Sequence, residues 1–240
     1  MNPPSMKAAK KLLEATKSAV EKATGVSVVV APPSLYLREL RASYKGKKIA
    51  FAAQNAHNEA GGAHTGEISM HQVKDAHASY VIIGHAERRA AGESNEDTRK
   101  KISAALASGL TPIFCVGEAK RGDSGEHFEF VRAQIREGLA DVPTPKISRI
   151  IIAYEPIWAI GATAAMSPRD MHEMAIFIRK TIVDIHGQAG HSIKILYGGS
   201  IEEKNAPDML RGGDVDGLLV GRASTEVDRV TLLLQAIGNK

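Results

Sequence analysis

The sequence predicts an α/β protein built on an all-parallel sheet, either open or closed into a barrel. Three observations carry this. Short apolar runs alternate strictly with longer amphipathic ones along all 240 residues. The apolar runs are nearly continuous rather than alternating, which suits strands buried on both faces by helices. The connections are short, and no low-complexity linker divides the chain, so one domain over 1–240 is expected.

The strand-like runs cover 26–31, 49–54, 80–84, 112–116, 150–154, 193–197 and 217–220. The helix-like runs cover 6–23, 34–44, 70–77, 95–108, 126–139, 168–187, 203–211 and 226–237. Two helix starts carry explicit signals. Ser94 precedes Asp97 by a capping-box spacing. Ser167 offers a cap, Pro168 suits a first helical position, and Asp170 is an early acid that favours the helix dipole. The chain opens on a helix, so a closed eightfold barrel needs one more strand before Met6.

Composition excludes several classes. No apolar run is long enough to span a bilayer, and the first residues lack a secretory signal. Cys115 is the single cysteine, which excludes an internal disulfide and fits a reducing, cytoplasmic setting. The net charge is +4, yet the lysines recur at helical spacing without interleaved aromatics, so no nucleic-acid partner is expected. His57, His64, His71 and His77 match no helical zinc spacing, and no metal site is expected.

Four polar or glycine-rich segments directly follow apolar strands: 84–89, 155–161, 197–200 and 220–224. In an α/β barrel such segments emerge together at the carboxyl face, where active sites lie. Glu155 ends a strand of isoleucines and could serve as a base on carbon; alone it could equally be a capping surface acid. His85 could donate a hydrogen bond to a developing oxyanion, or be a structural histidine. Gly198, Gly199, Ser200 and Gly221 suit backbone contacts to a phosphate, or mere tight turns. The small residues after Trp158, as far as Met166, suit a lid, and Cys115 within Ile113–Val116 suits a core position.

Seven segments resemble the triosephosphate isomerase family, in its order: Gln54–His57, Gly62–Ser69, YVIIGHAERR at 80–89, FCVGE at 114–118, AYEPIWAIG at 153–161, YGGSI at 197–201 and LVGRAS at 219–224. The resemblance implies a TIM (β/α)8 barrel lacking its first strand. It also implies interconversion of dihydroxyacetone phosphate and glyceraldehyde 3-phosphate, in glycolysis and gluconeogenesis, without metal or cofactor. Carried over by residue, Glu155 resembles the proton-moving base, His85 the neutral electrophile and Glu87 a supporting acid. Gly161, Ser200, Gly221 and Arg222 resemble the phosphate-binding backbone, and the loop around Thr65 resembles a homodimer loop. The alternative is a non-catalytic phosphate-binding or protein-interaction barrel.

The chain departs from the family pattern at several points. The family's first strand ends in an Asn followed two residues later by a catalytic Lys, and no residue here matches either. The expectation is that the reading frame begins just after that lysine. Loss of a buried strand is expected to cost roughly 5 kcal/mol or more of stability. Loss of the cation is expected to cost at least about 3 kcal/mol in the transition state, a hundredfold in rate. Ala86 stands where the family usually has a serine that holds the base, which leaves the resting place of Glu155 open. Ala162–Met166 departs from the usual lid, and Arg222 replaces a common glycine.

Overall fold

The computed structural model describes residues 2–122, 124–159 and 165–238. Seven parallel strands form one sheet in sequence order. They are β1 (Val28–Val30), β2 (Ile49–Ala53), β3 (Tyr80–Ile83), β4 (Thr111–Val116), β5 (Ile151–Tyr154), β6 (Lys194–Tyr197) and β7 (Gly217–Leu218). Each of these strands falls on one of the seven apolar runs. Among the described residues β1 pairs only with β2, and β7 only with β6. These two are also the strands that stop short of the expected 26–31 and 217–220, because each has a hydrogen-bonding neighbour on one side alone.

The helices are α1 (Met6–Lys22), α2 (Ser34–Ser43), α3 (Met70–Asp75), α4 (Ala86–Ala90), α5 (Asn95–Ala107), α6 (Glu126–Leu139), α7 (Pro168–His186), α8 (Ala206–Gly212) and α9 (Val227–Gly238). The expected caps are in place. Ser94 and Asp97 form the reciprocal capping box, and Ser167 accepts from the Asp170 amide. Ser69 and Gln72 form a further capping box at α3. The short α4, directly after β3, and the 3-10 turns at Thr144–Arg149, Ile157–Ala159, Gly187–Ser192 and Arg222–Thr225 were not anticipated. The eighth helix begins at Ala206 rather than at 203, because Asn205 spends its side chain on the preceding loop.

The core has two parts. A large cluster lies between the sheet and its surrounding helices and includes Leu40, Phe51, Ile83, Phe114, Ile135, Ile178 and Ile195. A smaller one, Ile82, Ile113, Cys115 and Ala153, lies on the other face of the strands, with Ala31 and Leu219 packed against it. This second cluster shows that the sheet curls around its own interior, which is why the strands read as apolar at consecutive positions. The helix layer closes where the sheet does not. The first helix packs on the last, and the Thr24 amide donates to the Gly238 carbonyl at 3.2 Å. The result is a barrel-like α/β fold with one open seam, between β1 and β7.

Candidate active site

Glu155 follows β5 directly and is 3% exposed. Its backbone amide donates to the Val116 carbonyl at 2.8 Å, which continues the β4–β5 ladder by one residue and fixes where the side chain leaves the barrel. Gly117 makes this possible. A Cβ at Gly117 would sit 1.9 Å from the Glu155 carbonyl oxygen, so only glycine lets the two backbones pass. Gln134 on α6 holds Gly117 in place, accepting from its amide at 2.8 Å and donating to its carbonyl at 3.3 Å.

His85 follows β3 through Gly84, whose φ of +73° turns the chain sharply into α4. The turn is pinned on both sides. The Gly84 amide donates to Glu93 at 2.9 Å, and the Gly84 carbonyl accepts from Arg89 Nε at 2.8 Å. Arg89 also donates to Asn95 at 2.7 Å and to the Cys115 carbonyl at 3.3 Å, tying the end of β3 to β4. Glu93 is in turn paired with the buried Lys101 at 2.6 Å, and Lys101 donates to Asn55 at 2.9 Å. A buried carboxylate and a buried ammonium thereby satisfy each other beneath the histidine loop.

The two candidate catalytic side chains meet. His85 Nε2 lies 3.0 Å from Glu155 Oε1. The other carboxylate oxygen accepts from the Ala86 amide at 3.0 Å. A backbone N–H therefore holds the carboxylate, and the missing serine hydroxyl is not required for its resting position. The Glu87 amide, at the start of α4, points at His85 Nδ1 at 3.3 Å. A donor there demands a lone pair on Nδ1, which leaves the proton on Nε2, the nitrogen facing Glu155. The hydrogen bond and charge of Glu155 raise the His85 pKa above its ordinary value, against the opposing effect of burial. Glu87 is exposed; its charge also favours the imidazolium, so it acts on His85 through its amide and its field.

Cys115 lies behind the pair, fully buried, and burial followed by the Glu155 charge pushes its thiol pKa well up. It is a protonated core residue, as expected. Trp158 is more than packing. Its indole N–H donates to Glu118 Oε1 at 2.8 Å, beside the Tyr154 hydroxyl, which donates to the same carboxylate at 2.8 and 3.0 Å. Glu118 is 2% exposed, so this cluster anchors the chain as it leaves the base. Burial, then the Glu118 charge, pushes the Tyr154 pKa up and keeps it a donor.

The phosphate candidates follow the carboxyl ends of the last two strands. Ser200 is half-buried after β6, and Asn205 braces its loop by donating to the Ser200 carbonyl at 3.0 Å and accepting from the Glu202 amide at 2.8 Å. Gly221 is exposed and caps the 3-10 turn after β7. A Cβ there would meet nothing, so crowding does not demand glycine at this position. Arg222 is exposed and its side chain has no partner among the described residues. Gly161 and most of the expected lid lie outside the described residues. Asn205, Glu118 and the Glu93–Lys101 pair escaped sequence reasoning. Asn205 before Ala-Pro is a readable helix-start signal, but the partners of buried acids are set by distant strands.

Fold and site together define an α/β-barrel enzyme with an imidazole and a carboxylate facing each other at the strands' carboxyl ends. The family model for triosephosphate isomerase matches residues 1–237. The triosephosphate isomerase of Endomicrobium trichonymphae is 41% identical over 225 residues, covering 93% of this chain and 90% of that protein. That of Roseiflexus sp. (strain RS-1) is 43% identical over 92% of this chain and 88% of its own length. That of Carboxydothermus hydrogenoformans is 40% identical over 88% and 86%. The chain belongs to the triosephosphate isomerase family.

Proposed function

We propose that this chain catalyses the aldose–ketose interconversion of dihydroxyacetone phosphate and glyceraldehyde 3-phosphate, with Glu155 as base and His85 as electrophile. The single observation that carries the assignment of roles is the 3.0 Å contact between His85 Nε2 and Glu155 Oε1. A three-carbon substrate entering between them replaces that contact with two. Glu155 removes a proton from the carbon next to the carbonyl and returns it to the neighbouring carbon. His85, donating from Nε2, stabilises the oxygen that gains charge and passes the hydroxyl protons. No step calls for a metal or cofactor. Glu87 supports His85 through its amide. The backbone of Gly161, Ser200, Gly221 and Arg222 holds the phosphate.

The same reading gives one domain over residues 1–240, acting in the cytoplasm on a triose phosphate in glycolysis and gluconeogenesis. No helix among the described residues is long and apolar enough to cross a membrane. The exposed loop over 59–67, whose base is tied by the His57 amide to the Ile68 carbonyl at 2.7 Å, is the proposed homodimer contact. The test is steady-state isomerisation by the mass-verified 240-residue chain beside its Glu155→Gln variant. Slow turnover that depends on Glu155 is expected. Turnover equal in both proteins would sink the assignment.

A further inference from the structure

Gln134 lies on α6, a helix that carries none of the residues assigned to the chemistry, and it is 3% exposed. Its side chain reaches the backbone of Gly117, directly after β4. The side-chain oxygen accepts from the Gly117 amide at 2.8 Å, and the side-chain nitrogen donates to the Gly117 carbonyl at 3.3 Å. Only this orientation works, since the reversed one sets donor against donor and acceptor against acceptor. Gly117 is buried, so Gln134 keeps both of its backbone groups satisfied away from water.

Satisfying a peptide accounts for a polar side chain in the core. What the peptide touches gives Gln134 a second role. A Cβ on Gly117 would lie 1.9 Å from the Glu155 carbonyl oxygen, 2.6 Å from its carbonyl carbon and 3.2 Å from its Cα, so the two backbones are in direct contact. The turn that carries the base is also tied to residues 116–118. The Glu155 amide donates to the Val116 carbonyl at 2.8 Å, and the Ile157 amide donates to the Glu118 carbonyl at 3.0 Å. Tyr154 and Trp158 donate to the Glu118 carboxylate. Residues 154–158 are thus laid on 116–118 as on a template, and Gln134 fixes that template to α6.

We propose that Gln134 is a positioning residue for the base: through Gly117 it holds the Glu155 carboxylate at its place beside His85. The proposal rests on the reading of Glu155 as base. With Gln134 gone, Gly117 loses its tie to α6 and the Glu155 backbone shifts with it. A displacement of about 1 Å at a reacting group costs on the order of a hundredfold in rate. The phosphate candidates follow β6 and β7, away from this contact, so substrate binding is spared.

The experiment compares the full chain with Gln134→Met, which keeps the side-chain length and removes both hydrogen bonds. In Gln134→Met kcat should fall at least about tenfold while KM stays within about twofold, the pattern of a group that acts on the transition state. The His85 imidazole, raised by its contact with Glu155, should titrate closer to 6.5 in the variant when followed by nuclear magnetic resonance. Gln134→Asn keeps an amide one methylene short of Gly117; it should show the same fall and the same shift, and it serves if Gln134→Met does not fold. Leu139→Ala, a truncation of a fully buried side chain further along α6, controls for lost stability and should leave kcat and the titration unchanged. Wild-type kcat in both Gln134 variants, or an unmoved His85 midpoint, overturns the proposal. An equal loss in Leu139→Ala overturns it as well. If the unaltered chain shows no turnover that depends on Glu155, the functional reading fails, and the His85 titration still decides whether Gln134 places Glu155.

Discussion

His85 Nε2 and Glu155 Oε1 stand 3.0 Å apart although 70 positions separate them in the chain. They follow β3 and β5, which are not neighbours, and Gly117, directly after the intervening β4, lets the Glu155 backbone through. The pair is therefore a property of the curled sheet.

Replacing Glu155 with glutamine keeps the side-chain shape and removes the base. Turnover should fall about 10²- to 10⁴-fold, the usual worth of general base catalysis. The melting temperature should fall modestly, since a glutamine oxygen can still accept from the Ala86 amide but its NH2 then faces the proton on His85 Nε2. Paired kinetics and thermal scans check both parts.

The pH response of His85 follows from its raised pKa. A raised folded value means that the contact contributes stability fully below pH 6.5, the ordinary histidine value, and loses it as pH rises through the folded pKa. Titration of the imidazole by nuclear magnetic resonance should give a pKa above 6.5 in the free protein. In Glu155→Gln it should fall back, leaving burial and the Glu87 charge to set it, and the matching pH dependence of stability should shrink. An unchanged midpoint in the variant would contradict the assignment of Glu155 as the cause.

Glu118 accepts from two buried or half-buried donors, Tyr154 and Trp158. Glu118→Leu strands both and should cost about 2–5 kcal/mol in urea unfolding. Tyr154→Phe in the same background removes one orphaned donor and should restore part of that loss. Because Trp158 then loses its anchor close to Glu155, the double variant should regain stability without regaining turnover.

The Glu93–Lys101 pair is buried on both sides, 3% and 8% exposed. Lys101→Met leaves the carboxylate without its close cation and should destabilise by about 3–5 kcal/mol. Adding Glu93→Leu removes a carboxylate left with only Arg88, at 3.5 Å, beside it, and should recover much of the stability. It also removes the acceptor for the Gly84 amide, so kcat should stay low in the double variant. Chemical denaturation and steady-state kinetics separate the two effects.

The sequence alone was enough to establish the order of the strands and of every described α-helix except the short α4, because continuous apolar runs and amphipathic runs are local patterns. The caps at Ser94 and Ser167, the seven strands and the positions of His85 and Glu155 at strand ends were all readable from residues close in the chain. Tertiary structure alone decided that the Ala86 amide holds Glu155, that Glu118 gathers Tyr154 and Trp158, and that Lys101 neutralises Glu93. It also showed that the helix ring meets at α1 and α9 while, among the described residues, β1 and β7 do not pair with each other. The reason is physical: a local pattern records whether a side chain is buried, whereas the partner it finds there depends on which distant strands the curl of the sheet brings alongside.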